Sequence, residues 1–220
     1  MYETFEKLPD SKKEQIIQVC SEEFIEHGYQ NASTNRMVKR LGISKGVLFL
    51  YFKNKKNLYL YLVEYIMGIF VKDYFADYEE RALIGFDIFD NFGEFYKELM
   101  QKKTVFFLFI LQAFINTPEE LKEEINIRHS QSHEKMFSYI NKAGLRQGVD
   151  IHMVDDLLHM VAYYVGQLII KDMKGKEVNW ITSDENNKNI VKYVEMLEKY
   201  ADIVRYGVYK WEKSPEPEED

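Results

Sequence analysis

Apolar residues recur at intervals of three and four along nearly the whole chain, the period of helices with one buried side. Ile16, Val19, Cys20 and Phe24 fall on one face of a first helix. It is predicted to start after Pro9, with a capping box made by Ser11 and Glu14, and to end at Gly28. A short second helix carries Met37, Val38 and Leu41, with Ser33 or Thr34 as its cap. Gly42 then permits a tight turn, and Ser44 caps a third helix, "KGVLFLYF", at 45–52. Two short helices across a Gly-containing turn form a helix-turn-helix signature, with the later helix placed to enter a DNA major groove.

From about Asn54 a longer helix follows, and further helices are predicted near 87–101, 104–115, 118–143, 151–172 and 186–211. Breaks fall at Thr117-Pro118, between Gly144 and Gly148, and in "KGKEVNWITSDEN". No alternating strand pattern of useful length competes, so the fold class is all-α. On the helix over 151–172, Val154, Leu157, Leu158, Val161, Val165 and Leu168 make one apolar stripe, with Ala162 and Gly166 on its flank. On the last helix, Ile190, Val194, Leu197, Ala201, Val204 and Val208 alternate in steps of four and three, a coiled-coil-like seam. These stripes either pack on their own domain or pair with a second copy in a four-helix interface.

Charge changes the picture at the N-terminal end. The net charge is −7, yet residues 1–63 hold ten Lys and Arg against seven Asp and Glu, leaving 19 against 29 for the rest. No acid occurs between Glu26 and Glu64, a stretch that holds Arg36, Lys39, Arg40, Lys45, Lys53, Lys55 and Lys56. That is the footprint of a polyanion site on a small module attached to an acidic body; a solvated basic face accounts for such a run equally well. The single cysteine, Cys20, excludes an internal disulfide and predicts an intracellular, cytoplasmic protein. The opening residues lack the apolar core of a signal peptide. The longest apolar run, 104–115, falls well short of the roughly 20 residues of a membrane span, so no membrane partner is expected. Neither a Gly-rich phosphate loop, a nucleophile elbow nor a metal-catalytic motif is present, so no enzyme is expected and no cofactor.

The segment "IIQVCSEEFIEHGYQNASTNRMVKRLGISKGVLFLYFKNKKNLYLYL" resembles the DNA-binding module of the TetR/AcrR family of bacterial transcriptional regulators. The likeness is carried by "HGY", the "ST" cap, "LGISKG", the aromatic-rich "LFLYF" and "KNKKNLY", and "VAYYVGQLI" around Gly166 looks like that family's penultimate helix. The resemblance implies a helix-turn-helix DNA-binding domain at 1–53, a helical effector-binding and dimerisation domain at 54–213, and an acidic, disordered tail at 214–220. It further implies a homodimer on a pseudo-palindromic operator, most often a repressor, released by a small, largely apolar effector. The alternative is a helical dimeric ligand- or protein-binding module that has lost specific DNA binding.

Residue by residue, the resemblance implies DNA contacts from Ser33, Thr34, Asn35 and Arg36 at the second helix, and from Ser44, Lys45 and Gly46 at the third. Lys55 matches the family's phosphate-binding lysine. Val47, Phe49, Leu50 and Tyr51 face outward, while Leu48, Phe52 and Leu58 form the module's core. Only Tyr51 keeps a donor where the family commonly has hydrogen-bonding side chains, which points Val47 and Leu50 toward thymine methyl groups. Candidate pocket residues are Tyr65, Phe92, Tyr96, Phe106, Phe109 and Phe114, joined by His133, Tyr163 and Gln167. Candidate dimer contacts are Ala162, Gly166, Ile190, Val194, Leu197, Ala201 and Val204. His129 with His133, and His152 with Asp156 and His159, have helical spacings suited to a metal, but no third ligand joins the first pair and charge pairing suits the second better, so no metal is assigned.

Overall fold

The structure, a computed structural model, describes residues 2–74, 92–137, 147–175 and 184–208, and among these every regular element is helical. It opens with a helix the periodicity does not disclose, α1 (Glu3–Glu6), which is a single turn. Its Phe5 is fully buried, with its ring centroid 4.7 Å from Phe52 and 5.3 Å from Tyr61. Helix α2 (Asp10–Asn31) begins on Pro9, whose carbonyl accepts from the amides of Lys12 and Lys13. Ser11 lies inside the first turn, so the capping box of Ser11 and Glu14 is not what starts the helix. Gly28 breaks α2 as expected, at φ 68° and ψ 166°, but one further turn follows it to Asn31.

The next two helices start on local caps. Ser33 Oγ accepts from the Arg36 amide at the head of α3 (Thr34–Leu41), and Ser44 Oγ accepts from the Val47 amide at the head of α4 (Lys45–Phe52). Between them Gly42 takes the left-handed conformation at φ 63°, where a Cβ would be strained. Lys53 ends α4 at φ 63°, and Asn54 Oδ1 then caps α5 (Lys55–Tyr74) through the Asn57 amide at 2.8 Å. Leu48, Phe52 and Leu58 are buried together, as the spacing predicts.

Helix α5 runs into the body. There α6 (Phe92–Lys102) and α7 (Thr104–Ile115) form a hairpin, a 3-10 turn (Glu119–Leu121) leads into α8 (Lys122–Phe137), and α9 (Ile151–Met173) and α10 (Asp184–Val208) follow. Helix α7 is the axle of the core: it packs on α2, α5, α6 and α9, and buries Val105, Phe107, Leu108, Phe109, Ile110 and Ala113. That is why so apolar a segment is not a membrane span. Helix α9 matches a span by length and hydropathy, yet Val154, Val165, Ile169 and Met173 on it are buried within the chain.

The expected dimer seam is corrected here. Val194, Leu197, Ala201 and Val204 are buried inside the single chain, because α10 packs on α6 and α9. Gly166 also faces inward: a Cβ there would come within 2.5 Å of Leu111 Cδ1 and closer still to Ile115 Cδ1. Ala162 is half-buried, and the side chain of Ile190 lies outside the described residues. On α9 and α10 the large apolar side chains that meet solvent, among the described residues, are Met153, Leu157, Met160, Tyr163 and Tyr164, and Ile203 and Tyr206. Within the apolar stripe read from the spacing, Leu157 is thus exposed in the single chain while Val154, Leu158 and Val165 are buried.

Candidate nucleic-acid interface

The module is held in shape by one buried acid. Glu23, 1 % exposed on α2, accepts at Oε1 from the Ser33 amide (2.8 Å) and from Nε (2.9 Å) and Nη2 (2.5 Å) of Arg36. Arg36 Nη2 also donates to the Asn31 carbonyl at 2.9 Å. A desolvated carboxylate needs such partners, and here they come from the start of α3, which locks α3 onto α2. Sequence reasoning missed Glu23, although it follows Ile16 and Cys20 at a core-facing interval. Arg36, expected at phosphate or base, is instead engaged in this brace.

Three more cations of the basic run are occupied. Lys55 Nζ donates to the carbonyls of Tyr29 (2.8 Å), Gln30 (3.1 Å) and Ala32 (3.3 Å), and lies 4.8 Å from the Tyr29 ring centre. An ammonium has three donors, and all three end on the carbonyls that close α2. The phosphate role implied for Lys55 is therefore replaced in this structure by an internal one. Arg40 pairs with Glu22 and Lys56 with Glu124 of α8. Lys39, Lys45 and Lys53 stay exposed and form no ion pair among the described residues.

Helix α4 presents a narrow outward row. Lys45, Gly46 and Leu50 are exposed, Val47, Phe49 and Tyr51 are half-buried, and Leu48 and Phe52 are core. The Lys45 ammonium sits 5.5 Å from the Phe49 ring centre, and the Tyr51 ring meets Phe5 edge-on at 5.6 Å. At the head of α3, Asn35 is exposed and Ser33 and Thr34 are half-buried; Ser44 at the head of α4 is exposed. The geometry offers a short basic and apolar ridge, positioned by α2 and α3, of the size that fits a groove.

The expected pocket residues do not share one environment. Tyr65 stacks on Tyr61 at 5.8 Å near α1, and Phe109 is core between Phe24 (6.1 Å) and Tyr59 (5.1 Å). Tyr163 is exposed and accepts from Gln167 Nε2 at 2.9 Å, on the outer side of α9. Tyr96, half-buried, meets Phe107 edge-on at 6.3 Å, and Phe106 is half-buried too. Phe114 belongs to a cluster of α7, α8 and α9 that includes two histidines: its ring lies 4.7 Å from that of His129, which lies 5.1 Å from that of His159. The side chains of Phe92 and His133 lie outside the described residues. His152 and Asp156 are exposed, and among the described residues no three of His, Cys, Asp and Glu are placed to hold a metal. Cys20 is buried and its thiol is pushed up to about 12 by that burial, which leaves it unreactive.

Residues 16–62 match the family described as bacterial regulatory proteins, tetR family. The fatty acid metabolism regulator protein of Bacillus subtilis (strain 168) is 34% identical over 68 residues, 31% of this chain and 35% of that protein. The chain thus spans about a third of that relative's length. A TetR family transcriptional regulator from Chloroflexus aurantiacus J-10-FL is similar over 95% of this chain and 98% of its own, with a TM-score of 0.58 at 21% identity. The regulator FadR from Bacillus subtilis, solved in complex with stearoyl-CoA, is similar over 82% of this chain and 96% of its own, with a TM-score of 0.51 at 17% identity. At these identities the solved structures establish the fold.

Proposed function

We propose that the chain, whose residues 16–62 match the tetR family of bacterial regulatory proteins, is a ligand-responsive transcriptional regulator, a repressor that binds a pseudo-palindromic operator as a homodimer. The observation that carries this reading is the ridge of Lys45, Gly46 and Leu50, held outward on α4 while the acid-braced α2 and α3 set its angle. Exposed Lys39, Lys45 and Lys53 supply sequence-independent attraction, and the α4 ridge supplies readout. A gel-shift titration against the DNA upstream of its own gene tests it. Saturable binding with an affinity that falls steeply with salt is expected. Absence of binding to any duplex would favour instead a helical dimeric binding module without specific DNA recognition.

The second copy is expected on the outward faces of α9 and α10, where Met153, Met160, Tyr164, Ile203 and Tyr206 meet solvent in the single chain. A patch of this length on a soluble chain calls for a cover. Met160→Glu together with Ile203→Glu is expected to convert a dimer to a monomer in sedimentation experiments. For the effector, the cluster of Phe114, His129 and His159 between α7, α8 and α9 supports an apolar ligand with a polar end. Stearoyl-CoA, held by the fold neighbour from Bacillus subtilis, is the first ligand to test for release of bound DNA.

A further inference from the structure

Leu50 is 64 % exposed in the middle of α4, and it is the large apolar side chain of that helix left in water. Its neighbours are accounted for. Leu48 and Phe52 are core, Val47 is half-buried, Tyr51 leans on Phe5, and Phe49 lies beneath the Lys45 ammonium. One helical turn before Leu50 stands Gly46, on the same face. A Cβ at Gly46 would meet only Ser44 Oγ, at an ordinary 3.7 Å, and its φ is not positive, so nothing within the chain requires a glycine there. Gly46 lies in the first turn of α4, where glycine costs at most the about 1 kcal/mol it costs in a helix interior relative to alanine. The fold therefore carries a gap it does not need followed, four residues on, by an unsupported apolar knob.

A notch and a knob in that order suit one surface. The wall of a major groove presents smooth hydrogen-bonding edges interrupted by the 5-methyl of thymine, the apolar group that a leucine side chain can cover. We propose that Leu50 is a specificity-determining residue that packs on a thymine 5-methyl group, with Gly46 letting the α4 backbone approach closely enough for that contact. The proposal rests on the DNA-binding reading and deepens it: the operator half-site carries a thymine at the position facing the second turn of α4. Lys45, one turn before Phe49, lies beside this contact and reads or neutralises its flank. Leu50 has no packing role to lose, so its replacement leaves the fold intact.

The test uses the full chain and duplexes selected from a random-sequence pool. Within the selected half-site, each thymine is replaced in turn by deoxyuridine, which removes the methyl and changes no hydrogen-bonding group. Burial of one methyl predicts that one position per half-site weakens binding by about fourfold. Leu50→Ala should bind the thymine duplex about as weakly as the unaltered chain binds the deoxyuridine duplex, and should be indifferent to the exchange. 5-Methylcytosine in place of cytosine at the same position of an otherwise inactive half-site should restore part of the affinity. Binding that is tight but indifferent to deoxyuridine everywhere would overturn the methyl contact and leave the DNA-binding reading standing. Sensitivity that persists unchanged in Leu50→Ala would assign the methyl to another residue and equally overturn the proposal. Failure of the pool to yield any bound duplex would remove both readings together.

Discussion

Two side chains decide the shape of the module, and both act from inside it. Glu23, itself buried, gathers three donors, so Glu23→Ala leaves the Ser33 amide without its acceptor and Arg36 with only the Asn31 carbonyl. A loss of about 3 kcal/mol is expected in urea unfolding, with DNA affinity falling in parallel because α3 is no longer fixed. Lys55 makes a second, separable prediction. Its three carbonyl bonds mean that Lys55→Met should cost about 1–2 kcal/mol of stability and leave the salt dependence of DNA binding unchanged. A slope reduced by about one phosphate's worth would instead show that the ammonium leaves the carbonyls for the DNA. The residue scale also shows what a sequence conceals. Ser33, Gly42 and Ser44 are legible because a cap or a turn acts on amides two or three residues away. The partners of Lys55 are backbone carbonyls more than twenty residues earlier, and a carbonyl is the same at every position. Glu23 left a trace, an acid at a core-facing interval, but its partner Arg36 reads equally well as a DNA contact.

At the scale of elements, identical substitutions should act with opposite sign in two helices. Gly46→Ala in α4 meets only Ser44 Oγ at an ordinary 3.7 Å, so it should stabilise the chain by up to about 1 kcal/mol while weakening DNA binding through the added methyl. Gly166→Ala in α9 drives a methyl into Leu111 and Ile115, so overpacking of about 1–3 kcal/mol offsets the helix gain, and a lowered Tm is expected. Thermal unfolding of both variants side by side checks the pair. Helix α1 is a further case: one turn is too short for any periodic signal, yet Phe5→Ala should cost about 3 kcal/mol because the ring fills the space between Phe52 and Tyr61. The seam on α10 shows the converse. Its apolar period was legible from Val194 to Val204, but a period states only that one side is covered. Whether α6 and α9 or another chain supplies the cover depends on contacts distant in sequence.

For the whole molecule, charge and connection matter more than any helix. Within residues 1–63, Arg36 and Arg40 pair with Glu23 and Glu22 of the same stretch and leave its excess of cations unchanged, Lys55 keeps its charge on neutral carbonyls, and Lys56 pairs outside it with Glu124. The usable positive charge is concentrated on Lys39, Lys45 and Lys53, around the ridge of α4. Module and body are joined by a specific bond as well as by α5: Gln112 Nε2 donates to the Ile25 carbonyl at 3.3 Å, while Arg128 of α8 approaches Glu64 of α5 itself at 3.6 Å. Tyr29, whose phenol is pushed up to about 12 by burial and by nearby Glu120, lies at the same junction.

Consecutive residues of α5 therefore hold opposite partners. Lys55 grips the end of α2 in the module, and Lys56 grips Glu124 of α8 in the body. Neighbouring residues on a helix point about 100° apart, so no turn of α5 about its own axis preserves both grips. The first turn of α5 works as a two-sided latch: a body that shifts α8 must either drag the module with it or let one lysine go.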